Sequence, residues 1–215
     1  MTASARLSAS LPLALAAIAL LVSACGDGQS GADAAVSVKR CPSAIRPGWV
    51  ALAKRVGVAV YCPAWMPSPL RGKVDPSAVP GADNATVSIS ADGSYLTSWI
   101  WAEAQTGEVH VILRGYPGRT TIPTCVVTGS GTSANAKHRV PCFADPHGTA
   151  RAGDITATLY TVNQGADQWH LLYAWRHQGT LYTVSQHVAA PLSYTVVKSD
   201  LRRMLTNLVL VEPSS

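Results

Sequence analysis

The stretch DITATLYTVNQGADQWHLLYAWRHQGTLYTVSQHV, residues 154–188, decides the fold class. It contains three strand-like runs joined by the short polar links NQGAD and HQG, and in the second run Trp169, Leu171, Tyr173 and Trp175 alternate onto one face. Alternation with a period of two is typical of half-buried β-strands, and links of this length join antiparallel neighbours. The stretch therefore predicts a meander of three antiparallel strands.

Further strand patterns precede the meander. The runs ATVSIS and SYLTSWIWAEA flank Asp92-Gly93, a pair that supplies the positive φ angles of a tight hairpin turn. The run EVHVILRGY follows Thr106-Gly107 and continues the alternation. We expect these runs to extend the same antiparallel sheet.

One helix is predicted on each side of the strand-rich region. Residues 49–57, WVALAKRVG, carry apolar residues at helical spacing and follow Pro47, which a helix tolerates at its first turn. The second predicted helix has Ser199 as its N-cap and an apolar stripe from Leu201 to Leu208. The expected fold class is α+β: a mostly antiparallel β-sheet with an N-terminal and a C-terminal helix packed on one face.

The chain begins with the features of an export signal. Arg6 gives a positive start, and the largely apolar run of residues 7–22 is short for a transmembrane helix but suits a secretory signal peptide. This run ends in Val22-Ser23-Ala24-Cys25, which resembles the lipobox of bacterial lipoproteins, where the cysteine is acylated. The alternatives are a plain signal peptide with a chance cysteine and an uncleaved anchor.

The lipobox resemblance implies a domain organisation. Residues 1–24 are then a lipoprotein signal peptide, Cys25 is the lipidated, palmitate-bearing residue, and residues 25–38 are a flexible tether of small and polar residues. Residues 39–213 have the length of a single domain. Several acyl chains anchor a protein stably, so the expected partner is the membrane and the expected location is the extracytoplasmic face of the cell membrane.

Four cysteines follow Cys25, namely Cys41, Cys62, Cys125 and Cys142. An even number of cysteines in an exported chain predicts disulfides, and four cysteines allow three pairings. We favour Cys41–Cys62 and Cys125–Cys142, because each pair brackets one local unit. The spacing contains no Cys-x-x-Cys pair and the histidines do not cluster near these thiols, which argues against a metal site.

The C-terminal part carries a second resemblance. HLLYAWRHQGTLYTVSQHV followed by SDLRRMLTNLVLV resembles the strand–turn–strand–helix pattern of actinobacterial exported domains of unknown function of the DUF4367 type. The upstream piece YCPAWMPSPLRG is similar to a proline-rich segment of the same domains. The resemblance covers these segments alone. It implies a secreted or membrane-anchored protein of actinobacterial origin and no catalytic residue.

The charge pattern argues against one class of partner. The formal net charge is +5 at pH 7, and adjacent lysine and arginine residues occur only as isolated pairs, at Lys39-Arg40, Lys54-Arg55 and Arg202-Arg203. Nucleic-acid binding needs a basic stripe interleaved with aromatic residues, which is missing here. We therefore expect no nucleic-acid partner.

Few residues suggest chemistry. In CFADPHG, Asp145 and His147 are two positions apart and can bind a metal ion loosely or act as an acid–base pair, although Pro146 and Gly148 explain the same segment as a turn. Strand histidines at no ligand spacing are expected to face solvent or to be hydrogen-bonded. They are His110, His170, His177 and His187. No catalytic residue, metal site or cofactor is predicted.

Aromatic residues offer the other candidate site. Trp99 and Trp101 share one predicted strand face, and Tyr173 and Trp175 share another. Because phenylalanine occurs once, tryptophan and tyrosine also have to fill the core. If either pair is exposed, it forms a stacking platform for a ligand or partner.

These features favour a non-enzymatic, membrane-anchored binding domain, with an envelope protein or a small ligand as its partner. One alternative is a secreted hydrolase-like enzyme whose site is assembled from distant residues, including Asp145 and His147. The other alternative is a structural or assembly factor of the cell envelope.

Overall fold

The computed structural model describes residues 39–72, 74, 85–103, 107–128, 136–162 and 169–214. The predicted signal peptide, the tether and Cys25 lie outside these ranges. The helices and strands are α1 Arg46–Val56, β1 Val60–Pro63, β2 Ala85–Ile89, β3 Tyr95–Glu103, β4 Gly107–Tyr116, β5 Thr124–Thr128, β6 Lys137–Pro141, β7 Ala144–Ala152, β8 Ile155–Val162, β9 His170–His177, β10 Thr180–His187, α2 Tyr194–Thr206 and β11 Leu208–Val211.

Seven strands form one antiparallel sheet in the order β2-β3-β4-β10-β9-β8-β7. The meander predicted at residues 154–188 is confirmed, because β8, β9 and β10 are consecutive neighbours in this sheet. Two small antiparallel sheets, β1-β11 and β5-β6, accompany it. The prediction of a mostly antiparallel sheet with two helices is therefore confirmed.

The main apolar core lies against one face of this sheet. Leu113 of β4 pairs with Val184 of β10, which pairs with Tyr173 of β9, and all three side chains are buried in this core. Directly paired residues point to the same face, so this row fixes which face is apolar. The ring of Trp49 in α1 stacks on that of Trp99 in β3, with 6.1 Å between the ring centres.

Both helices contribute to the main core. Helix α2 contacts β7, β9 and β10, and its residues Leu201, Met204 and Leu205 are almost fully buried. Helix α1 contacts β1 and β11. Full burial of one such side chain contributes roughly 1.5–3 kcal/mol, so packing fixes the position of α2 more strongly than its intrinsic helix propensity.

The predicted limits of the second helix were wrong. Helix α2 begins at Tyr194, and its N-cap is Ser193, whose hydroxyl accepts a hydrogen bond from the Val196 amide at 3.4 Å. The β-branched residues of the first turn have low helix propensity, which hides this start from pattern analysis. Leu208 belongs to β11, which pairs with β1.

Both predicted disulfides are confirmed. Cys41–Cys62 joins the segment before α1 to β1, with 5.7 Å between the α-carbons. Cys125–Cys142 joins β5 to the residue that follows β6, with 4.8 Å between the α-carbons. The second bridge lies beside a smaller buried cluster on the opposite face of the large sheet. That cluster consists of Phe143, Val162, Leu172, Ala174 and Leu181.

Removing either disulfide should destabilise the domain. The bridges span 21 and 17 residues, and closing loops of this size removes unfolded-state entropy worth about 3 kcal/mol in the chain-entropy model. We expect the paired alanine variants, Cys41→Ala/Cys62→Ala and Cys125→Ala/Cys142→Ala, each to lose about that much unfolding free energy in urea titrations. An unchanged urea midpoint in both variants would contradict this.

The pKa of Asp200 predicts a pH-dependent effect on stability. Burial raises this pKa, while the hydrogen bond from Gln186 Nε2, at 3.5 Å, lowers it. Because the pKa is raised in the folded state, the carboxyl group contributes stability below its unfolded pKa of about 3.9, and this contribution is lost as the pH rises. Asp200→Asn should therefore raise the Tm at pH 7 relative to wild type. The gain should vanish at pH 3. An equal change in Tm at both pH values would contradict the assignment.

Candidate functional site

The predicted aromatic platform is not exposed in the structure. Trp99, Tyr173 and Trp175 are at most 3% exposed and belong to the main core. Trp101, which shares the face of Trp99, is partly buried. The predicted platform requires one of the two aromatic pairs to be exposed. Trp99, Tyr173 and Trp175 do not meet this requirement.

Asp145 and His147 lie on the edge strand β7, and both are exposed. The register between β7 and β8 shifts on either side of Pro146, and Asp145 has a φ of 58°. Within the described part of the chain, no hydrogen bond or ion pair joins the two side chains. The bulge accounts for this segment, and the structure does not assemble an acid–base pair from these two residues.

A polar cluster that the sequence analysis did not predict lies on the face of the sheet opposite the main core. It consists of Ser98 of β3, Glu108 and His110 of β4, His187 of β10 and His170 of β9, and we call it the histidine cluster. Strand register brings these residues together. His187 of β10 pairs with His170 of β9. On its other side β10 pairs with β4, where Gln186 lies opposite Val111. The next residue in this register, His187, is therefore opposite His110.

Short contacts link the members of the histidine cluster. Ser98 Oγ lies 3.0 Å from His110 Nε2, and His110 Nδ1 lies 3.6 Å from Glu108 Oε1. The same carboxylate oxygen lies 3.3 Å from His187 Nδ1. The rings of His187 and His170 stack with 5.0 Å between their centres. One carboxylate thus serves two imidazoles, and one of these imidazoles reaches a serine hydroxyl.

The histidine cluster is partly open to solvent. Ser98 is 7% exposed, whereas the side chains of His110 and Glu108 are 16% and 37% exposed. Ile100, the cross-strand partner of His110, is an exposed apolar residue. A small molecule can therefore contact the imidazole and the carboxylate from the solvent side.

The sequence contained two signals that pointed to parts of this cluster. Glu108 and His110 are two residues apart on a strand, so their side chains share a face. His170 and His187 sit at the outer ends of a predicted hairpin, where antiparallel pairing makes them neighbours. Ser98 carried no signal, because its position depends on the pairing of β3 with β4.

A second polar site is a cleft beside the Cys125–Cys142 bridge, and we call it the arginine cleft. Its volume is about 460 Å³. The charged residues that line it are Arg114, Arg119, Arg139 and Asp92, with Ser88, Ser90, Ser94 and Thr124 among the polar ones. Three guanidinium groups thus face a single lining carboxylate.

The contacts of the arginine cleft fix two of these arginines. Asp92 Oδ1 accepts hydrogen bonds from the Ser94 hydroxyl at 2.6 Å and from the Ser94 amide at 3.0 Å. These hydrogen bonds, together with Arg119 at 3.4 Å, lower the pKa of Asp92, so this carboxyl is ionised at neutral pH. Arg139 donates a hydrogen bond to the Thr124 hydroxyl at 3.0 Å. Among the charged residues that line the cleft, three are arginines and one is an aspartate.

Two kinds of feature do not occur among the residues that the structure describes. No group of three or more His, Cys, Asp or Glu side chains among them is arranged to hold a metal ion. Nor do they include a helix that is long and apolar enough to cross a membrane.

No known protein family matches the chain, and comparisons with curated proteins and with solved structures find no match. Any functional conclusion therefore rests on the geometry of the two polar sites.

Proposed function

We propose that the protein is a membrane-anchored extracytoplasmic lipoprotein whose domain binds a small anionic molecule in the arginine cleft. The observation that carries this proposal is the convergence of Arg114, Arg119 and Arg139 on one cleft that contains one carboxylate. The ligand class is a small molecule with phosphate or carboxylate groups.

The chemistry of arginine supports this ligand class. A guanidinium group is charged at all physiological pH values and presents parallel N–H donors that match the oxygens of phosphate and carboxylate groups. A cleft of about 460 Å³ lies within the range that small-molecule sites occupy. Cys125 and Cys142 line the same cleft, so a covalent bridge limits the movement of its wall.

Two observations support an extracytoplasmic location. Disulfides persist in oxidising compartments, and the domain contains two. The lipobox-like sequence before Cys25 supports acylation at that residue, with residues 25–38 as the tether. In this proposal both helices cover the face of the sheet that carries the main core, and the arginine cleft lies on the opposite face.

Binding to the arginine cleft can be measured with pyrophosphate and citrate by isothermal titration calorimetry on the full-length protein in detergent. We expect Arg139→Gln and Arg119→Gln each to weaken binding at least about tenfold, because the loss of one charge-assisted hydrogen bond costs roughly 1.5–3 kcal/mol. Arg55→Gln is the matched control, since it removes the same charge from an exposed position on α1.

The two probes distinguish phosphate from carboxylate recognition. Binding of neither probe, or equal weakening in Arg55→Gln and the cleft variants, would contradict a specific anion site. A steep loss of affinity with salt in all variants would indicate unspecific charge attraction instead.

Membrane anchoring predicts a distinct result for Cys25→Ser. The wild-type protein expressed in a bacterial host should partition into the detergent phase and carry the mass of its acyl chains, because buried methylene groups contribute about 0.8 kcal/mol each. The Cys25→Ser protein should lack this added mass and partition into the aqueous phase. Ser30→Ala, a change within the tether, is the control and should behave as wild type. Detergent partitioning of Cys25→Ser without acylation would contradict a lipid anchor at this residue.

A further inference from the structure

We infer that Ser98, His110 and Glu108 form a hydrolytic site that cleaves uncharged carboxylic esters. This site is separate from the arginine cleft, which lies toward the other end of β4. His110 and Arg114 are four residues apart on that strand, a distance of about 13 Å. The inference goes beyond the proposed anion binding and does not depend on it.

The first step of the argument is the pair formed by nucleophile and base. Ser98 Oγ and His110 Nε2 are 3.0 Å apart, within the hydrogen-bond distance that proton transfer requires. Both atoms belong to neighbouring strands of an antiparallel sheet, β3 and β4. Their separation is thus set by the backbone ladder between these strands. Such a scaffold holds reacting groups more firmly than a loop does.

The second step concerns the protonation of the imidazole. In the tautomer of neutral His110 that carries its proton on Nδ1, this proton faces the Glu108 carboxylate, whose Oε1 lies 3.6 Å away. In the neutral imidazole Nε2 is then an acceptor, and Ser98 donates its hydroxyl proton to it. Nucleophile, base and orienting carboxylate thus occur in the order that nucleophilic hydrolysis uses.

The third step concerns access. The side chains of His110 and Glu108 are partly exposed, so solvent reaches the imidazole, while Ser98 beside it is buried. Ile100, opposite His110, offers an exposed apolar surface beside the serine. An uncharged ester with an apolar group fits these surroundings, because a substrate anion would be repelled by Glu108.

The reaction balances without a cofactor. His110 Nε2 accepts the hydroxyl proton while Ser98 Oγ bonds to the carbonyl carbon of the ester. The bond between the carbonyl carbon and the alcohol oxygen then breaks, and the leaving alkoxide accepts the proton from His110. Water attacks the acyl-serine, gives a proton to His110, and releases the carboxylic acid as Ser98 Oγ recovers that proton.

The direct test treats the full-length protein with an alkyl fluorophosphonate, in which serine oxygen displaces fluoride from phosphorus. We expect one phosphonyl group per molecule, located at Ser98 by peptide mapping of the wild-type protein. Ser98→Ala should not react. Ser185→Ala is the matched control and should react fully, because Ser185 is also a buried serine of this sheet but lies on β10. No adduct on wild type, or an adduct at another residue, would overturn the inference.

Ester turnover supplies the second measurement, with p-nitrophenyl butyrate as substrate. His110→Gln should lower kcat at least 100-fold, the usual contribution of a general base. Glu108 is a positioning residue, so Glu108→Gln should lower kcat with little change in KM, and Glu108→Asp should restore part of the loss. The rate should fall at acidic pH, because protonated His110 cannot accept the serine proton.

A kcat that is the same in wild type and His110→Gln would overturn the role of His110. Pyrophosphate binding measured on the same samples keeps the two proposals distinguishable. Ser98→Ala should bind pyrophosphate as wild type does, and Arg139→Gln should retain ester turnover. Loss of both functions in a variant that keeps its thermal unfolding transition would contradict the separation of the two sites.

Discussion

The register between β4, β10 and β9 is the constraint on which the rest of the structure depends. Leu113, Val184 and Tyr173 lie in one row across these strands and face the main core. A slip of one residue in any of the three strands would turn a whole set of apolar side chains toward the opposite face. The burial of this row therefore fixes the register, and the same register brings His110, His187 and His170 together on the other face. Core packing and the assembly of the histidine cluster are consequences of one pairing.

Patterns that are local in sequence allowed correct predictions. The meander follows from period-two alternation between short links, and the disulfide pairs follow from cysteines that bracket local units. The start of α2 at Tyr194 could not be read, because its first turn is rich in β-branched residues, and the pairing of Val60 with Val211 joins distant parts of the chain. The histidine cluster was missed because it, too, depends on pairing between distant parts of the chain. It requires the register of four strands, and a single strand shows at most two of its members.

The amino-acid composition decides which large side chains fill the core. With phenylalanine occurring once, tryptophan and tyrosine fill the core, and they bring polar atoms with them. Tyr182 donates its hydroxyl hydrogen to the Ala59 carbonyl at 2.7 Å, and burial raises its pKa to about 12, so it remains neutral at physiological pH. Its ring stacks on that of Trp175. Three of the aromatic residues predicted as a recognition surface, Trp99, Tyr173 and Trp175, therefore belong to the core.

The irregular backbone of β7 affects how the edge of the sheet can pair with another molecule. This strand ends the large sheet, and an outer strand with a regular row of backbone donors and acceptors can recruit a strand from another molecule. Around Pro146 the register with β8 shifts twice, and Pro146 itself has no amide proton to donate. A second copy arriving at this border meets a bent backbone with a gap in its hydrogen-bonding row. This border of the sheet is therefore a poor template for a strand from a second copy.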